Sequence, residues 1–312
     1  MASESRQEEG SSARRRAGLD ARTPAERRNR GVGIALMVAT VFCFTVLDAS
    51  AKWSILAGLP ALQVVWIRYV GAMAFSTAAL AREGWRATTT SKRPWLQAAR
   101  SMLLFGSTMC NFMALKFMML AELTAIAFSM PLIVALIAGP LLGEWVGPRR
   151  LIAICVGFVG ILVVTQPGLH GVAPGVALSL AGTCFYSLYI IATRALTGVD
   201  APRTTMFYSN MFGALALAPA MPFVWTPPSA SLLPVLALVA FAASFGHWLL
   251  ILAYQRAPAA ILAPFSYTQI VFMAAAGYLL FNETPGPSTF LGGAIVIASG
   301  LYLLYREQVR RG

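Results

Sequence analysis

Charge is scarce in this chain. Only 12% of its 312 residues are Asp, Glu, Lys or Arg, about half the fraction carried by an ordinary soluble domain. There are twelve acidic residues and two histidines, His170 and His247. Groups so few and so scattered offer no converging acid–base set, which leaves no catalytic residue to assign. Four cysteines, Cys43, Cys110, Cys155 and Cys184, lie far apart in apolar runs without a CxxC spacing. That argues against a disulfide framework and a metal site, and they read as small hydrophobes. No glycine-rich phosphate loop, HExxH zinc motif or nucleophile elbow occurs. ATP-driven pumping on this chain is not expected, and neither a metal nor a cofactor is.

Apolar residues fill the space that charge leaves. They make up 58% of the chain, and the mean hydropathy is +0.68. A water-soluble protein of this size could not hide so much apolar surface, so its solvent is lipid. About 20 apolar residues cross a bilayer as a helix. Ten stretches qualify: 32–56, 62–81, 96–115, 122–142, 151–166, 172–194, 204–224, 231–254, 259–281 and 288–305. Turn and breaker residues separate them, such as Gly58-Leu59-Pro60, Gln166-Pro167-Gly168 and Pro285-Gly286-Pro287. The fold class is an all-α integral membrane protein.

The net charge of +12 resembles a nucleic-acid signal until its positions are read. Basic residues crowd the tail (Arg14–Arg16, Arg27, Arg28, Arg30), the even-numbered loops (Arg82, Arg86, Lys92, Arg93; Arg149, Arg150; Arg194, Arg203; Arg256) and the C-terminus (Arg306, Arg310, Arg311). Lys116 is the exception in the odd loops. This alternation orients membrane spans rather than binding nucleic acid, and it places both termini in the cytoplasm. Residues 1–30 are polar and charge-rich, and read as a disordered basic tail.

The chain also repeats itself. LLGEWVGP at 141–148 returns as LFNETPGP at 280–287, 139 residues later. Without gaps, Ala121 meets Ala260, Leu123 meets Leu262, Ala135 meets Ala274, and Glu144 meets Glu283. Phe128 and Ser129 face Tyr267 and Thr268; upstream, where Gly71-Ala72-Met73-Ala74 resembles Gly213-Ala214-Leu215-Ala216 at a spacing of 142, Arg68 faces Asn210. One five-helix unit is used twice, at 31–167 and 168–306, followed by a short cytoplasmic end at 307–312. Five is odd, so the second unit enters the membrane from the other side. Inverted repeats of this kind are a signature of secondary transporters.

AELTAIAFSMPLIVALIAGPLLGEWVGPRRLIAICVGFVGILVV at 121–164 and its counterpart at 257–304 resemble the drug/metabolite transporter superfamily, of the type with two EamA-like halves. DASAKW at 48–53 and VVWIRY at 64–69 resemble one bacterial branch of it. The resemblance spans about 31–306. It implies ten helices around a central cavity, alternating access, a bacterial inner-membrane location and a small organic substrate. Members carry amino acids, sugars, nucleotide-like metabolites, riboflavin, S-adenosylmethionine and drugs. At Asn282 the second half departs from the usual pattern, where a Gly is commoner before the Glu.

Charges inside spans are costly and face a cavity or a partner. Asp48 and Lys52 lie four apart, on one face of the first helix, and Arg68 reaches a similar depth on the second. They read either as a substrate or gating network, in which Asp48 could pair with Arg68 or Lys52, or as a structural ion pair, with Lys52 snorkelling. Asp48 is the candidate for coupling to protons. Arg100, with Ser107 and Asn111 on roughly its face, could neutralise an anionic substrate, but snorkelling is the favoured reading. Glu122 suits a helix N-terminus. Pro131 and Pro264 interrupt equivalent helices of the two halves, near Ser129 and near Ser266, Tyr267 and Gln269; matched interruptions point to a binding site. Mid-span aromatics, among them Phe185, Tyr186, Trp248 and Tyr267, suit a cavity for a flat ring, and His247 beside Trp248 is the one mid-membrane imidazole.

The expected function is secondary transport of a small organic metabolite, with riboflavin as the named substrate. Export of amino acids, related metabolites or drugs is the alternative, and an intramembrane enzyme or ligand sensor is the reading from another class. The expected partners are a small molecule, the bilayer and protons, without nucleic acid; monomer and homodimer both stay open.

Overall fold

The computed structural model describes residues 24–80, 90–142, 147–166, 173–196, 199–200 and 202–311. Among these residues every regular element is helical. Helix α1 is Pro24–Leu56, α2 Ala61–Leu80, α3 Pro94–Ala114, α4 Leu120–Ala127, α5 Met130–Leu142 and α6 Pro148–Thr165. The second half runs α7 Pro174–Leu196, α8 Pro202–Leu217, α9 Leu233–Arg256, α10 Ala259–Ser266, α11 Gln269–Phe281 and α12 Pro287–Arg311. Proline opens six of the twelve. It has no N–H to leave unbonded and its φ is already helical, so it is favoured at a helix start.

Eight segments are long and apolar enough to cross a membrane: Arg28–Leu56, Leu120–Ala138, Pro148–Thr165, Pro174–Thr193, Thr204–Val224, Ala230–Arg256, Ile261–Phe281 and Pro287–Arg306. The protein is a multi-pass membrane protein. Helices α2 and α3 occupy the other two expected positions. α3 buries Gln97, Arg100, Ser101, Ser107 and Thr108, so its polarity is turned into the bundle rather than toward lipid. Helix α1 begins at Pro24, inside the segment expected as tail, and α12 continues to Arg311, through the segment expected as a separate cytoplasmic end. Residues 1–23 lie outside the described residues.

Contacts between the halves follow a swap rule. The densest pairs are α1 with α9, α3 with α7, and α6 with α12. Exchanging the halves turns the first pair into the second and returns the third to itself. Single residues obey the same rule. A Cβ at Gly160 on α6 would stand 2.8 Å from the Gly292 carbonyl on α12, so both positions need glycine's bulk. Shifting each residue by the 139-residue repeat maps that pair onto Ser299 and Ala153, where the Ser299 hydroxyl donates to the Ala153 carbonyl. Small residues let two backbones approach this closely in lipid.

Loop contacts fix two ends. At one, Gly33 packs on Arg256 and Ala257, and Asp200 accepts hydrogen bonds from Ser91, Lys92 and Gln97. This terminal end holds the first turns of α1 and the last of α12. At the opposite end, the Gln63 amide exchanges two 2.9 Å hydrogen bonds with the backbone of Thr226.

The fourth and ninth spans are each two half-helices. α4 gives way to α5 at Phe128–Ser129, and α10 gives way to α11 at Tyr267–Thr268. These are the residues that the repeat places opposite each other. Their rings meet edge to face at 4.8 Å, with 86° between planes, so the two breaks touch across the seam. Hydroxyls occupy the carbonyls that an unbroken helix would bond: Ser129 donates to Ile126 (2.6 Å), Thr268 to Phe265 (2.7 Å) and Ser266 to Ala263 (2.7 Å). The prolines flank the breaks rather than form them. Pro131 sits in the first turn of α5, where proline costs little, and Pro264 lies inside α10, three residues before its break.

Candidate functional site

A polar cavity lies within the bundle, lined by α2, α3, α7, α8 and α9. Its room for water-sized occupants is about 50 Å³, so a ring system enters only as the lining parts. Arg68, Arg100, Asn210 and His247 line it, joined by Tyr69, Ser76, Tyr189, Ser209 and Ser244. Arg100, Leu104 and Thr108 succeed one another at four-residue intervals on α3, a spacing that stacks side chains on one face.

Arg100 is 4% exposed and does not snorkel. Its Nε donates to Thr193 (2.7 Å), one Nη to Ser209 (2.7 Å) and the Thr205 carbonyl (3.3 Å), and the other to the Tyr189 hydroxyl (2.6 Å). Its guanidinium also lies 4.4 Å from the centre of the Tyr189 ring. The Thr193 and Ser209 hydroxyls donate back to carbonyls of their own helices, which turns their lone pairs toward the guanidinium. One buried cation thereby ties α3 to α7 and α8. Snorkelling fails because Arg100 lies on the face of α3 that packs against α7 and α8.

Arg68 is far less engaged. Only Nη1 has an acceptor among the described residues, Thr108 Oγ1 at 3.2 Å, and Nε is buried without one. The guanidinium lies 5.0 Å from the centre of the Tyr69 ring. Across the cavity, the Asn210 amide donates to Ser76 (2.9 Å) and the Ala72 carbonyl (3.3 Å). Repeat-equivalent residues therefore line the same space. His247 bonds the Ala243 carbonyl through Nδ1 (2.7 Å) and meets Phe44 edge-on. Asp48 is half-buried and feels the Arg68 charge, but it has no hydrogen bond or ion pair among the described residues.

The expected pairing of Lys52 with Asp48 gives way to another. Lys52, 4% exposed, makes an ion pair with Glu283 and donates to the Met118 carbonyl at 2.5 Å. The other Glu283 oxygen accepts the Leu120 N–H at 2.9 Å. This latch joins α1 and the α3–α4 corner of the first half to the α11–α12 corner of the second, at the end opposite the termini. Asn282 aims it. Its φ of 54° is left-handed backbone, which favours Gly and tolerates Asn. Gly277 leaves room for the carboxylate: a Cβ there would stand 2.6 Å from Glu283 Oε2. Glu144, the repeat counterpart of Glu283, lies outside the described residues. Glu122 caps its own helix by accepting the Met119 N–H at 3.1 Å, as the sequence predicts.

Other expected residues fall elsewhere. Trp248 is 45% exposed and packs on Phe245, away from the cavity. Tyr186 packs on Tyr189 with the rings tilted by 30°, and it is not among the lining residues. Ser129, Tyr267 and Gln269 belong to the helix breaks. Asn111 lies on the face of α3 that packs against Gly182 of α7.

Near the terminal end, Asp200 accepts from Ser91 Oγ (2.5 Å), Gln97 Nε2 (2.8 Å) and the Lys92 N–H (2.9 Å). Desolvation pushes its pKa up. The three hydrogen bonds and the Lys92 charge outweigh that and hold it below the ordinary carboxylate value. A lowered folded-state pKa adds stability above the unfolded pKa, and that stability is lost as pH falls through the folded value. Melting of the wild-type protein should therefore fall from neutral pH into the acid side of the carboxylate range. Asp200→Asn should melt lower at neutral pH and lose less on acidification. Equal pH slopes in the two proteins would contradict this assignment.

A bundle with broken, matched helices and a polar cavity between its halves defines a membrane transporter architecture. A sequence model described as the EamA-like transporter family matches residues 31–166 and 173–306, and the chain belongs to that family. Among curated relatives, a riboflavin transporter of Rhizobium johnstonii is 27% identical over 90% of this chain and 93% of its own length. An S-adenosylmethionine uptake transporter of Rickettsia prowazekii is 25% identical over 88% and 93%. A protein of known crystal structure, 18% identical, matches with a TM-score of 0.57 over 88% of this chain and 98% of its own, a likeness of fold.

Proposed function

We propose that the protein carries a flat, partly polar metabolite, riboflavin foremost, across the bacterial cytoplasmic membrane by alternating access, with both termini in the cytoplasm. The observation that carries this reading is the cavity itself. Tyr69, Tyr189 and His247 place aromatic rings in its wall, and Arg68, Asn210 and the serines offer polar partners. In this reading the latch closes the periplasmic end while the cavity communicates with the cytoplasmic one, and transport requires it to open. Asp48, a membrane carboxylate without a bonded partner, carries the coupling proton. S-adenosylmethionine suits the cavity less well, because its sulfonium and ammonium charges would meet two arginines and no lining carboxylate.

Reconstitution into liposomes tests this. Riboflavin-loaded vesicles should accumulate labelled riboflavin by counterflow, saturably, with stimulation by a pH gradient that Asp48→Asn removes. Counterflow of S-adenosylmethionine or amino acids, without riboflavin, would overturn the substrate assignment.

A further inference from the structure

Two arginines line one cavity, and their hydrogen bonding divides them. Arg100 reaches four acceptors supplied by the protein. Arg68 reaches one, and its buried Nε has none. A buried donor without a partner is costly, so natural structures retain one where something else supplies the acceptor. No carboxylate lies within ion-pair distance of Arg68 among the described residues, and nearby Asp48 acts on it only through space. The guanidinium is held by the Thr108 hydroxyl and by stacking near the Tyr69 and Phe112 rings. That leaves its Nε–Nη2 edge as a planar fork with two parallel donors.

We propose that Arg68 is the substrate-reading cation, and that its fork takes two adjacent acceptors on the rim of a planar heterocycle, a ring nitrogen beside a carbonyl oxygen. A planar fork matches paired acceptors in one plane, and a lysine ammonium cannot reproduce it. The dioxopyrimidine edge of a flavin has this chemistry, so the inference rests on the riboflavin reading and names the part of the molecule that is gripped. Binding draws Nε out toward the ligand. The sugar-like side chain is left to Asn210, Ser76 and Ser209. Arg100 is a positioning residue that shapes the wall.

The test uses the purified full-length protein in detergent, with flavin fluorescence quenching as the binding signal. The probes are riboflavin, lumiflavin (the ring without the ribityl chain) and ribitol. Wild type should quench both flavins, and ribitol should not displace them. Arg68→Lys and Arg68→Gln should each weaken both flavins by about 10- to 100-fold, the loss of one or two charge-assisted hydrogen bonds. Their size-exclusion profiles and melting points should stay close to wild type, because Arg68 makes one bond to the protein. Unchanged flavin affinity in Arg68→Gln would overturn the role of Arg68 and leave the riboflavin reading standing. So would a full rescue by Lys, which would make Arg68 a point charge. Wild-type protein that binds neither flavin would overturn the substrate reading, and this inference with it.

Discussion

Replacing Lys52 with Met should unlatch the end of the bundle opposite the termini. Lys52 and Glu283 have side chains 6% and 11% exposed. Breaking one side of a buried pair leaves the other charge uncompensated, at a cost of about 3–5 kcal/mol. The latch joins elements of the two halves, so the penalty falls on the state closed at that end and not on every state alike. A penalty of about 3 kcal/mol shifts the balance between states on the order of 100-fold. Lys52→Met should therefore slow net transport at least tenfold while leaving the protein folded and membrane-inserted. Glu283→Gln should cost a similar amount, because it leaves the Lys52 charge uncompensated and its single amide oxygen can replace only one of the two carboxylate oxygens that accept from Lys52 and Leu120. Charge reversal in both residues together should recover part of the loss. A double-mutant cycle with no coupling between positions 52 and 283 would show that the pair is incidental.

Arg100→Met should have the other large effect. It removes four hydrogen bonds that join α3 to α7 and α8. The Thr193 and Ser209 hydroxyls keep their backbone acceptors, so the loss falls on the oxygen lone pairs that faced the guanidinium. No opposite charge is stranded. A stability loss of about 2–4 kcal/mol follows, with melting lowered and flavin binding lost because the wall collapses. Arg100→Lys should recover little, since an ammonium cannot reproduce the planar fork that reaches four acceptors on two helices. Melting points that match wild type would mean that Arg100 contributes nothing to the packing.

The spans were legible in the sequence because lipid imposes a length and an apolar composition that few residues can violate. The interruption of the fourth and ninth spans was legible from Pro131 and Pro264, but its position was not: the breaks fall at Phe128–Ser129 and Tyr267–Thr268, a few residues from either proline. Depth alone misled at Arg100: counting residues from a helix end says how far in a side chain lies, not whether lipid or protein faces it. The polar run Gln97, Ser101, Ser107 and Thr108 on the same helix was the available sign. The partner of Lys52 stands 231 residues away, beyond any local spacing, although the repeated Glu-x-x-Gly-Pro had already marked Glu283. Aromatics misled at Trp248 because rings serve the lipid face as well as a cavity. Nothing in the sequence set Tyr189 apart from Tyr186, one helical turn away.

Spin labels paired across each end, read by double electron–electron resonance, test most directly whether one cavity opens alternately to the two ends. Ala57→Cys with Thr284→Cys spans the latched end, and Arg93→Cys with Gln255→Cys spans the terminal end; all four positions are exposed. Saturating riboflavin should lengthen the first distance and shorten the second in the same molecules. Both distances moving in the same sense, or neither moving while riboflavin is transported, would contradict alternating closure of the two ends.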